Sequence, residues 1–98
     1  MHVDITFRHM EATPALREHA EEKTALLARY FSAPMSARWV FDVRHGTHHA
    51  EVSMSGGGEN FFSEEKSDSL YKSIDVAAHR LETQVRKVHD KRNHHRPH

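Results

Sequence analysis

The 98-residue sequence predicts an α+β fold of order β-α-β-β-β-α, a four-stranded sheet with two helices packed side by side on one face. Three observations predict it. Apolar and polar residues alternate in four short runs, the period of a half-buried strand. In two longer runs the apolar residues recur at steps of three and four, the period of an amphipathic helix. Short glycine-bearing turns join the last three strand-like runs, which makes an antiparallel meander of them.

The first run places Val3, Ile5 and Phe7 between Asp4, Thr6 and Arg8. Thr13-Pro14 follows as an N-cap and a proline at the first helical position, where its missing N–H leaves no bond unmade. Leu16, Ala20, Leu27 and Phe31 form the inner side of this helix, with Leu26 and Tyr30 beside them. Glu18, Glu21, Glu22, Lys23 and Arg29 form the outer side, and Ala33-Pro34 closes it. The second strand covers residues 37–44, with Trp39, Phe41 and Val43 on one face, and Gly46 turns the chain. His48, Ala50, Val52 and Met54 then alternate with His49, Glu51 and Ser53. After the Gly56–Gly58 turn a fourth strand spans residues 60–66, where Phe61-Phe62 breaks the alternation. Both helices lie on the face bearing Trp39 and Phe41, and the other sheet face is left to solvent.

The closing helix, from Asp68 to Arg92, organises the chain. Ser67 or Asp68 caps its start. Leu70, Ile74, Ala77, Leu81, Val85 and Val88 make one continuous apolar face over a length of roughly 35 Å, with no Gly or Pro before Pro97. Arg80, Thr83, Lys87 and Lys91 form a polar stripe on another face, flanked by Arg86 and Arg92. Such cations also favour the negative end of the helix dipole, so a solvated face competes with a binding surface.

Charge distribution sharpens that choice. The chain is neutral overall, but residues 1–78 carry 8 Lys+Arg against 12 Asp+Glu, a net of −4, and residues 79–98 carry 6 against 2, a net of +4. Five of the eleven histidines also fall in the basic end. A neutral protein with one basic end can still touch a polyanion through it. The absence of cysteine excludes disulfides and suits the cytosol. No secretory h-region or membrane-length apolar segment is present, so the expectation is a soluble cytoplasmic chain. Its length suits one domain, residues 1–92, with a disordered His-rich tail at 93–98.

Chemistry-bearing constellations are few. His48-His49 are adjacent, so on a strand their rings point to opposite faces; the same holds for Glu64-Glu65. No Cys, no catalytic triad pattern and no phosphate-binding glycine loop occurs, so no metal, cofactor or catalytic residue is expected. Only His94, His95 and His98 would hold a metal loosely. Tyr71 reads as a core-edge tyrosine in preference to a base-stacking one.

The last five elements follow the order of double-stranded-RNA-binding domains, which read shape and phosphates. The residues also resemble a specific family, the short bacterial ribosome hibernation-promoting factors, which include the ribosome-associated inhibitor protein Y. The likeness rests on Ile5-Thr6, Arg8-His9 and Glu11–Lys23, on His49-Ala50-Glu51-Val52, and above all on Asp68–Asp75 followed by Arg80–Lys91. It covers nearly the whole chain to about residue 92. Phe7, where a small residue is usual, Ser69 in place of an acid and Thr83 in place of a base depart from the family pattern.

The resemblance implies a non-enzymatic protein that binds the small (30S) ribosomal subunit and its 16S rRNA in the mRNA/tRNA channel and blocks translation. It implies a short form lacking the C-terminal dimerisation domain of long members, monomeric when free, with no membrane or small-molecule partner. The rRNA contacts it implies are Arg8 and His9, Lys23, and on the closing helix Arg80, Lys87, His89 and Lys91, with Arg86 and Arg92 beside them. A row of cations one turn apart can follow phosphates, releasing counterions at each. Lys23 sits among Glu18, Glu21 and Glu22, where a solvated ion pair competes equally. The alternative function is a small protein-interaction or metal-responsive module using the acidic first helix or the His-rich tail.

Overall fold

The computed structural model describes residues 1–32 and 34–93, with side chains as far as Lys91. The elements are β1 (His2–Arg8), α1 (Pro14–Ala28), β2 (Met35–Arg44), β3 (Thr47–Gly56), β4 (Glu59–Ser67) and α2 (Leu70–Asn93), the expected order. The strands lie in the sheet in sequence order. β2, β3 and β4 form the antiparallel meander. β1 runs parallel to β2, with Ile5 beside Trp39 and Phe7 beside Phe41. The helix α1 between them carries the chain back to the starting end, so the sheet is mixed.

Both hairpins turn on two residues of positive φ: His45 (50°) and Gly46 (76°), then Gly57 (58°) and Gly58 (80°). That geometry matches the right-handed twist of the flanking strands. Gly56 is needed for a different reason. A Cβ there would stand 2.7 Å from the Pro34 carbonyl and collide with Met35 Sδ, where the chain enters β2.

The core fills the space between the sheet and the helices. Trp39, Phe41, Val52 and Met54 point up from the sheet, Ile74, Leu81 and Val85 point down from α2, and all seven are fully buried. Truncating such a side chain to alanine costs about 2–5 kcal/mol, because lost burial and a residual cavity add. The expected alternation break at Phe61-Phe62 is absent: Phe61 enters the core and Phe62, 48% exposed, faces solvent.

Thr13 caps α1 as expected, its Oγ1 accepting from Leu16 N at 3.2 Å. The helix ends at Ala28, before the expected stop. The Tyr30 and Phe31 N–H groups then bond to the Leu27 and Ala28 carbonyls, a tightening of the last turn to i→i+3 spacing. Phe31 therefore packs from beyond the helix, its ring 5.9 Å from that of Phe61. Leu26 is exposed.

The start of α2 lies two residues after the expected one. Ser73 N bonds to the Ser69 carbonyl, the first helical bond, while Ser67 Oγ accepts from Ser69 N just outside it. Buried Ser73 donates its hydroxyl to the His48 carbonyl at 2.7 Å and pins this end of α2 to β3. At its other end α2 reaches Asn93. The expected disordered tail lies outside the described residues beyond that point. Among the described residues, no helix is long and apolar enough to cross a membrane.

Candidate nucleic-acid interface

Helical spacing gives α2 three working flanks. The apolar one meets the sheet. A second meets α1 through Asp75, Glu82 and His89. The third lies over the free edge of β4, and Ser73, Arg80, Gln84, Lys87 and Lys91 share it because they differ by three, four and seven residues.

Two side chains of that third flank are tied to β4. Gln84 accepts from Phe62 N at 3.3 Å and donates to Phe62 O at 2.7 Å. Arg80 Nη1 donates to Glu64 O at 3.0 Å and to Glu65 Oε1 at 3.2 Å. Lys87 and Lys91 continue the flank, about 10 and 16 Å further along the axis by helical rise. Both are exposed, with no ion-pair partner among the described residues. Arg86 is exposed on the neighbouring solvent side. Thr83 Oγ1 bonds back to the His79 carbonyl at 3.2 Å. Arg92 lies within α2, but its side chain is outside the described residues.

The other expected residues lie elsewhere. His89 faces α1, half-buried, its ring 5.5 Å from that of Tyr30. Lys23 sits 3.6 Å from Asp75 Oδ1, which His19 Nε2 also meets at 2.6 Å. Lys23 is thus in an ion pair, but with a partner across the helix interface in place of the expected one on its own helix. Tyr71 is exposed and meets His19 edge-on at 5.2 Å, so it is not a core-edge residue.

Arg8 and His9 end β1 on the sheet face away from the helices, with His9 at φ 57°. His9 Nδ1 lies 2.8 Å from Asp42 Oδ1. Arg44 Nε approaches His9 Nδ1 at 3.3 Å and Asp42 Oδ2 at 3.4 Å. The hydrogen bond from His9 holds the Asp42 carboxyl below its usual value, against desolvation, and the charges of Arg44 and Arg8 help. Among the described side chains, the expected residues thus form no single patch: the α2 flank, the α1–α2 seam and the outer sheet face each hold some.

Three residues outside that set complete the outer-face group. Arg44, His45 and Lys66 line a hollow of about 480 Å³ with Asp42, Thr47 and His49. Strand alternation puts Arg44 and Lys66 on the outer face, but only the register between strands brings them together. On the same face His49 Nε2 meets Glu64 Oε1 at 2.8 Å, and Glu51 joins them so that one donor atom from each lies within 4.8 Å of the others. The His48 and His49 rings do diverge: His48 faces the helices, its Nδ1 buried without a hydrogen-bond partner.

An α+β domain with exposed cations along its closing helix is suited to polyanion binding, and comparison with known proteins identifies the class. Residues 3–93 match the family described as sigma 54 modulation protein / S30EA ribosomal protein, and the chain belongs to that family. It is 32% identical over 91 residues to the ribosome-associated factor Y of Haemophilus influenzae, covering 93% of this chain and 85% of that one. It is 30% identical over 95 residues to the ribosome hibernation promoting factor of Escherichia coli K12, covering 97% of this chain and all of that one. The crystal structure of the Thermus thermophilus protein Y N-terminal domain superposes with a TM-score of 0.84 at 32% identity, over 90% of this chain and 99% of that one. The family expected from the sequence is thereby established, with its α+β architecture. It is a family of hibernation factors and not of enzymes.

Proposed function

We propose that this protein is a ribosome hibernation factor that acts in the cytoplasm as a single ribosome-binding domain. It binds the small (30S) subunit through 16S rRNA in the mRNA/tRNA channel and so blocks translation. The observation that carries the reading is the α2 flank, where exposed Lys87 and Lys91 extend past the edge of β4 without ion-pair partners among the described residues. Cations with no protein partner exchange only water and counterions for phosphate, so they contribute fully to binding. Arg80 contributes differently. It already bonds to β4 and sets the position of the flank. Family membership and the names of the relatives support the ribosome as partner.

Co-sedimentation with purified small subunits across a salt series tests this. The intact protein is expected to saturate near one per subunit and to dissociate as salt rises. Lys87→Ala/Lys91→Ala is expected to bind several-fold more weakly with a shallower salt dependence. Absence of binding by the intact protein at low salt defeats the reading.

A further inference from the structure

We propose that the basic end of the outer sheet face is a second RNA-phosphate site, so that the domain holds two separate RNA segments at once. The inference rests on the ribosome reading above and adds a site to it. Strand register builds this site. Arg8 lies beside Asp42, Asp42 beside His49, and His49 beside Lys66, one row crossing all four strands. Three inter-strand spacings of about 4.8 Å make that row roughly 14 Å wide. Arg44 and His45, at the β2–β3 turn, close its end and line the same hollow.

Charge decides what such a row accepts. Its one acid, Asp42, is already satisfied by His9 and Arg44, and its side chain is only 17% exposed. Arg8 and Lys66 have no ion-pair partner among the described residues, and Arg44 is 63% exposed beyond its contact with Asp42. The other carboxylates of the strands on this face are Asp4, Glu51 and Glu64: Glu51 and Glu64 lie opposite each other further along β3 and β4, where His49 meets Glu64, and Asp4 lies beside Arg38 and meets His2. Three fixed cations around one neutralised acid, with three imidazoles among them, suit a phosphodiester oxygen.

The α2 flank is on the helix side of the sheet, and this row is on the other. An RNA strand joining them would have to pass around an edge or an end of the sheet. Arg80 and Gln84 occupy the edge of β4. Two segments, one on each side, therefore fit the molecule better than one continuous strand.

Hydroxyl-radical footprinting of small-subunit rRNA, with binding isotherms across a salt series, tests the proposal. The proteins compared are the intact chain, Arg44→Ala/Lys66→Ala, Arg44→Lys/Lys66→Arg and Lys87→Ala/Lys91→Ala, each first shown to be folded by its thermal transition. The intact chain is expected to protect two separated segments. The Arg44/Lys66 alanine variant is expected to lose one of them and the Lys87/Lys91 variant the other. Loss of two phosphate contacts flattens the slope of log affinity against log salt by about one to two, and the charge-conserving variant restores it. If the Arg44/Lys66 alanine variant matches the intact chain in affinity, slope and footprint, the second site is overturned while the ribosome reading stands. If both alanine variants weaken the same segment, the two-segment arrangement is overturned. If the intact chain does not bind, both readings fall.

Discussion

Trp39 Nε1 donates a hydrogen bond to Thr24 Oγ1 across 2.9 Å, and both side chains are completely buried. The threonine hydroxyl donates in turn to the Ala20 carbonyl at 2.7 Å, one helical turn earlier. This relay gives α1 a polar anchor on β2, and it satisfies an indole N–H that would otherwise lie unpaired in the core. Thr24→Val keeps the volume and removes the acceptor, so it is expected to destabilise the fold by about 1–3 kcal/mol, the desolvation cost of an orphaned donor. Thr24→Ser keeps the hydroxyl and is expected to lose less. Urea-unfolding midpoints of the three proteins decide the point; equal midpoints for the valine variant and the parent would show that the bond contributes nothing.

Gln84 serves a different purpose at the sheet edge. Its amide bonds to both backbone groups of Phe62, replacing the next strand's contacts there. Unpaired edges recruit other chains, and proteins commonly cover them. Gln84→Ala is expected to accelerate amide exchange at Phe62 and to raise the tendency to associate at high concentration. The loss of stability is expected to be about 1 kcal/mol. Unchanged exchange at Phe62 would show that the edge is protected by something else.

Arg80 and the two lysines beyond it share a flank but not a role. Arg80→Ala removes the bonds to Glu64 O and Glu65, so it is expected to lower thermal stability as well as subunit affinity. Lys87→Ala/Lys91→Ala breaks no contact seen among the described residues and is expected to leave the thermal transition within about a degree while weakening binding. A melt and a sedimentation isotherm for each variant separate the two effects. A stability loss in the lysine variant as large as that of Arg80→Ala would show that those lysines are structural.

The element order, the positions of the turns and most of the inner faces of both helices are legible in the sequence because each follows from a local period or a local turn residue. The site was only partly legible. The spacing of Arg80, Lys87 and Lys91 showed that they share a flank, but it did not show that Arg80 is committed to β4, a contact that depends on how α2 lies across the sheet. His89 joins that set through the family resemblance alone: helical spacing turns it about 180° from Arg80, onto the α1 side, where its ring meets Tyr30. The neighbours of Lys23 on α1 suggest a local partner, yet its partner is Asp75, 52 positions away. Arg44 and Lys66 gave no signal as a pair, because only the register of β2, β3 and β4 brings them to one hollow. Local patterns specify elements; contacts between elements specify the site.

Asp42 also makes the acid limb of stability predictable. Its carboxyl is held below the usual value, first by the His9 hydrogen bond and then by the charges of Arg44 and Arg8. A depressed folded value means that the ionised form stabilises the native state. That contribution is complete above the unfolded value of about 3.9, is constant through neutral pH, and is lost as pH falls through the lower folded value. Urea midpoints measured from pH 7 to pH 2 are therefore expected to fall more steeply at the acid end for the parent than for Asp42→Asn. The two curves are expected to run parallel between pH 5 and pH 7. His9→Ala, which removes the largest cause of the depression, is expected to move the parent's acid limb upward in pH, with the Asp42 carboxyl resonance following. If the parent and Asp42→Asn curves stay parallel down to pH 2, the His9–Asp42–Arg44 cluster stores no pH-dependent stability.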